Sequence, residues 1–152
     1  MKYLAISKTP YYIAYSVFED KVLVDYGKIK LNGNCDLKRL VEWESAVNEI
    51  IKKHSPTFLL THLLEIETLL KKDIEKVVEI RTILKLLSEK NNIIYMEFKT
   101  SGWEKKIIGR ATNFRKIQFI NRSYGTKIDD VEIANAIILC EGVAHKKLQV
   151  AK

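Results

Sequence analysis

A five-residue run, Thr57–Thr61 (TFLLT), most constrains what this chain can become. It is apolar without alternation and follows a helix-length amphipathic segment, the pattern of a strand buried on both faces in a parallel sheet. The segment before it opens at Asp36, a candidate N-cap, and carries Leu37, Leu40, Val41, Val47, Ile50 and Ile51 along one stripe, ending near His54–Pro56. After it comes a long helix with Leu70, Ile74, Val77, Val78, Leu84 and Leu87. That helix stops at Asn91–Asn92, and Ile93–Phe98 reads as a further strand.

Upstream, Tyr3–Ser7, Tyr11–Glu19 and Val22–Leu31 are rich in Val, Ile, Tyr and Phe and are separated by KTP and by the charged turn Glu19–Lys21. Three sequential antiparallel strands is the economical reading. Downstream the chain turns helical. Ser101 is placed to cap a short helix ending at Gly109, and Asn113 to cap another ending near Gly125. A last helix starting around Asp129 carries the broad apolar set Ile133, Ala134, Ile137, Ile138 and Cys140–Val143. So wide a face places it between the sheet and another helix. The expected architecture is α/β: a five-stranded mixed sheet, three antiparallel strands then two parallel, flanked by helices. The 152 residues form one domain, 1–152, large enough for its own core.

With 47% hydrophobic and 30% charged residues, composition is that of a soluble globular protein. The N-terminal apolar run is too short for a signal peptide, and no segment approaches a membrane span, so cytoplasmic residence is expected. Cys35 and Cys140 lack CxxC spacing and neighbouring histidines, which predicts reduced structural thiols rather than zinc or a disulfide. A glycine-rich phosphate loop is absent, removing support for NTP hydrolysis.

Charge is distributed unevenly. The net +7 includes Lys99, Lys105, Lys106, Arg110, Arg115, Lys116, Arg122 and Lys127, facing the single anion Glu104 between residues 99 and 128. Asp129 and Glu132 follow at a spacing that sets two side chains on one face of a helix. A basic grip beside paired carboxylates points to metal-dependent chemistry on nucleic acid. Acids are also favoured at any helix N-terminus by its dipole, so this pairing has a structural explanation as well. Trp103 is placed to stack on a base or to cover the sheet edge, and Trp43 reads as packing.

The order βββαβαβ followed by helices, with LAISKTPYYIAYSVFE, KKIIGRATNFRKIQFI and DDVEIANAIIL, resembles the RuvC-type Holliday-junction resolvases of the RNase H-like fold. The resemblance spans nearly the whole chain. It implies a homodimer that grips branched DNA and cuts phosphodiesters with four carboxylates holding two divalent metals, Mg²⁺ in particular. Several acidic oxygens are needed to neutralise two clustered cations around a phosphate.

Matched onto this chain, the terminal pair becomes Asp129 and Glu132 as metal ligands and catalytic residues, with Glu in place of the second Asp. Lys116 falls on the family's Lys-x-Gln and would contact the scissile phosphate. At the first-strand acid position stands Ser7, and the fourth-strand acid position falls on Thr61, followed by His62. The nearest acids are Glu65 and Glu67, with Glu65 a third metal candidate. Half the metal cage is thus replaced while Lys105, Lys106, Arg110, Arg115 and Lys116 remain as a nucleic-acid-binding set. The leading expectation is a RuvC-like protein that binds branched DNA with weak or lost nuclease activity. Its rivals are an active Mg²⁺-dependent junction endonuclease with a rearranged acidic site and a non-catalytic protein-interaction module on the same fold.

Overall fold

A computed structural model describes residues 1–7, 9, 11–32, 36–63, 71–99, 101–109 and 112–146, and the side chains of all of these except 36, 72, 101 and 107. The elements are β1 (Lys2–Ser7), β2 (Tyr12–Glu19), β3 (Val22–Lys30), α1 (Asp36–His54), β4 (Phe58–His62), α2 (Lys71–Lys90), β5 (Ile94–Phe98), α3 (Ser101–Ile108), α4 (Asn113–Tyr124) and α5 (Val131–Ala144). One sheet runs in the order β3-β2-β1-β4-β5. Its first three strands are antiparallel, while β4 lies parallel to both β1 and β5. This is the mixed sheet expected from the sequence.

Alternation along the strands builds two cores on opposite faces of the sheet. Leu4, Ile6, Ile13, Val17 and Leu59 face Trp43, Val47, Ile50 and Ile51 of α1 and Ile80, Leu84 and Leu87 of α2. Ala5, Ala14, Phe18, Leu60 and Phe98 face α5, whose Ile133, Ala134 and Ala136–Cys140 are buried, together with Ile120 of α4. Helix α5 therefore lies between sheet and α4, which is why its apolar set is broad. Trp103 packs against this same cluster.

Some expected details shift. The α1 stripe runs through Trp43, Val47, Ile50 and Ile51, leaving Leu37 and Val41 exposed and Leu40 only half-buried. Val78 of α2 is likewise exposed. Gly109 and Gly125 end α3 and α4 with positive φ of 77° and 65°, where a residue with a Cβ would be strained. The α4 cap is Thr112 rather than Asn113, because its hydroxyl accepts the Arg115 amide at 3.3 Å. Caps at Asp36 and Ser101 rest on side chains outside the described set, as do Cys35 and Leu70. Cys140 is a buried free thiol. Among the described residues no helix is long and apolar enough to cross a membrane.

Candidate functional site

The site forms where the C-terminal end of β1 meets the N-terminal turn of α5. Ser7 pairs with Ala14 on β2, and Ala14 pairs with Lys28 on β3, so the three residues make one row across the sheet. Ala14 belongs to the core beneath α5, which fixes the face on which Ser7 and Lys28 stand. Ser7 is buried, and its hydroxyl donates to Oε2 of Glu132 in a very short contact.

Asp130 closes the helix end. Its Oδ1 accepts the Glu132 amide at 2.8 Å as N-cap, and the Tyr12 hydroxyl donates to the same oxygen at 3.4 Å. Lys28 Nζ donates to Oδ2 at 2.9 Å and lies 4.2 Å from the centre of the Tyr12 ring. Burial alone would raise the Asp130 carboxyl, but the bonds from Lys28 and the backbone amides hold it below its ordinary range. Tyr12 is pushed up to about 12, first by burial and then by the charges of Asp130 and Glu132.

Asn135, the next α5 residue on this side, accepts from Lys116 Nζ at 3.1 Å. The same ammonium lies 3.2 Å from Glu104 Oε2, and both side chains are largely buried. Lys116 is therefore held in a largely buried ion pair rather than fully solvated. The lone anion of the basic segment neutralises it inside the α3–α4–α5 junction. Lys105, Lys106 and Arg115 are exposed as expected of a nucleic-acid surface, while Arg110 lies outside the described residues.

Two expected site residues are displaced. Helix α5 begins at Val131, so Asp129 precedes the Asp130 cap, is exposed, and does not share a helical face with Glu132. Thr61 stands on the wrong face of the sheet. Alternation puts it with Leu59 towards α2, where its hydroxyl lies 3.2 Å from that of Tyr95. Tyr95 in turn donates to Glu97 at 2.8 Å, and Arg81 of α2 grips Glu97 with two bonds, at 2.5 and 3.1 Å. His62 takes the place expected of Thr61. It and Ser7 each stand two residues beyond the Ala5–Leu60 pair, on the face that those two residues present to α5.

Among the described residues, the donor set does not suit two divalent cations. Glu132 is engaged by Ser7, Asp130 by a cap amide, a phenol and an ammonium, and Asp129 stands apart. Among the described residues no three His, Cys, Asp or Glu side chains gather as a metal cluster. Glu65 and Glu67 lie outside the described residues.

Sequence reasoning missed Lys28, Tyr12 and Asn135. Asn135 left a trace as the polar interruption in IANAIIL. The Asp-Asp pair before Val-Glu also permitted Asp130 as cap. Lys28 and Tyr12 left none, since their partners lie more than a hundred residues away.

The sequence matches no family model and no curated protein. Solved structures do match. A Thermus thermophilus RuvC structure aligns with a TM-score of 0.79 at 11% identity, covering 99% of this chain and 100% of the other. T. thermophilus RuvC in complex with a Holliday junction substrate gives 0.80, also at 11% identity, over 99% of each chain. The yeast mitochondrial Holliday junction resolvase Ydc2 gives 0.67 at 9% identity, over 93% of this chain and 77% of its own. The chain has the RuvC form of the RNase H-like fold.

Proposed function

We propose that this chain is a RuvC-like protein that binds branched DNA as a homodimer and has weak or no nuclease activity. The observation that carries the second half is the Ser7–Glu132 hydrogen bond. At the end of β1, where the resemblance implies a metal-binding carboxylate, a neutral hydroxyl points at the remaining acid and donates a proton to it. With Asp130 neutralised by Lys28, the described residues of the cleft offer too little negative charge to hold two cations 3.5–4 Å apart, roughly the spacing of two-metal catalysis.

DNA binding is supported by the RuvC fold together with the exposed cations Lys105, Lys106 and Arg115 of α3 and α4. Their task is phosphate neutralisation and positioning, which needs no intact acidic cage. A symmetric pair would set two such basic faces across a symmetric junction.

The test uses an end-labelled four-way junction beside a linear duplex of matched sequence, with EDTA, Mg²⁺ or Mn²⁺. Junction-selective binding without nicks is the expected result, by a species that sediments as a dimer. Metal-dependent symmetric nicking would overturn the silent-site reading in favour of a rearranged enzyme. Absence of binding to any DNA at low salt would favour a protein-interaction module.

A further inference from the structure

Helix α4 presents to solvent a row that the packing of the fold does not use. Phe114, Gln118 and Arg122 follow one another at i, i+4 and i+8, with Arg115 beside them, and the opposite side of the helix buries Ile120. Phe114 is 72% exposed in the first turn, its backbone position set by the Thr112 cap. On the flank of the helix that carries Arg115 and Phe119, an open recess of about 340 Å³ is lined by Ile108, Arg115, Gln118, Phe119 and Arg122, with Phe114 outside that lining. That volume lies within the range of about 300–1,000 Å³ typical of small-ligand sites.

The chemistry is that of a nucleotide taken out of its stack. A base needs an apolar flat surface, a donor or acceptor for its edge, and cations for the phosphates on either side. Phe114 supplies the first, Gln118 the second, and Arg115 with Arg122 the third. Neither guanidinium has a carboxylate partner among the described residues, so both are available to phosphate. A linear duplex keeps its bases in one continuous stack, whereas a branch point interrupts that stack and lowers the cost of displacing a base beside it.

We propose that Phe114 stacks on an unpaired base at a DNA branch point, with Gln118, Arg115 and Arg122 along the same exposed side of α4 engaging that nucleotide. This rests on the DNA-binding reading above and adds to it a determinant of branch selectivity.

The experiment places 2-aminopurine at the branch of a four-way junction and follows its fluorescence alongside anisotropy, for wild type, Phe114→Ala and Phe114→Trp. Wild type is expected to alter the branch-point fluorescence. Phe114→Ala should abolish that change and weaken junction binding about ten-fold while leaving linear-duplex affinity within about two-fold, and Phe114→Trp should restore both. Because Phe114 is exposed, neither change is expected to unfold the chain. A Phe114→Ala protein that binds the junction like wild type, or one that binds more weakly with unchanged 2-aminopurine response, would overturn the inference while leaving DNA binding intact. Wild type that binds no DNA at low salt would overturn the inference together with the reading on which it rests.

Discussion

The Ser7 hydroxyl donates to the Glu132 carboxylate, joining the end of the first strand to the start of the last helix across 125 residues of sequence. The contact satisfies a buried donor and an acidic acceptor together. It also occupies an oxygen that a cation would otherwise require.

Ser7→Asp should therefore convert attraction into repulsion. Two facing carboxylates raise each other's folded pKa above the unfolded value, so the cost is absent at low pH and grows as pH rises through about 4. Thermal or urea unfolding at pH 8 should show a loss of about 3 kcal/mol relative to wild type, shrinking towards zero near pH 3. Added Mg²⁺ should recover part of the loss, whereas wild type should respond little. Equal stability of the two proteins at pH 8 without metal would contradict this.

Asp130 holds the helix end through its side chain, which makes it a stability residue independent of any chemistry. Asp130→Ala should cost about 1–2 kcal/mol in urea unfolding at pH 7, and Asp130→Asn, which keeps the capping oxygen, distinctly less. Because the folded carboxyl is depressed below its ordinary value, its charge-dependent contribution is present above the unfolded pKa near 3.8 and disappears as pH falls through the folded value. The acid limb of the stability curve should consequently be flatter in Asp130→Ala.

Lys116 and Glu104 form a largely buried ion pair, so breaking it is expected to cost more than replacing it. Lys116→Ala removes the ammonium from a buried ion pair and should destabilise by about 3 kcal/mol, while the double change Lys116→Met with Glu104→Gln should recover most of that. Any binding defect in Lys116→Ala has to be read against the double variant, since a residue that lies in an ion pair can weaken DNA binding by disturbing α3 and α4.

The sequence of elements and the mixed sheet were legible because periodicity reports burial directly. TFLLT read as a parallel strand and became β4, and the stretch beginning at Ile133 read as a sandwiched helix and became α5. The candidate site was only half legible. Spacing linked Asp129 to Glu132 as though both were helical, but the cap at Asp130 excludes Asp129 from the helix. Thr61 and His62 are adjacent in sequence and on opposite faces of the sheet, so a shift of one residue in the match changes which of them faces Ser7. The charge of the basic segment likewise suggested a solvent-facing or DNA-facing Lys116, because nothing in a linear pattern shows that Glu104 folds back onto it.

Exposed cations should act by phosphate contact alone. Lys105→Ala and Lys106→Ala should each weaken junction and duplex binding to a similar degree and reduce the slope of log K against log salt by about 1. Titrations at several salt concentrations measure this, and a changed affinity with an unchanged slope would remove that cation from the phosphate-contacting set.

The most direct test of the central claim is single-turnover cleavage of a labelled four-way junction at saturating protein, with Mg²⁺ and with Mn²⁺, run beside a binding assay on the same sample. The account predicts a stable, junction-selective complex in which the strands remain intact. Paired nicks at symmetric positions, dependent on metal and lost in Glu132→Ala, would contradict it.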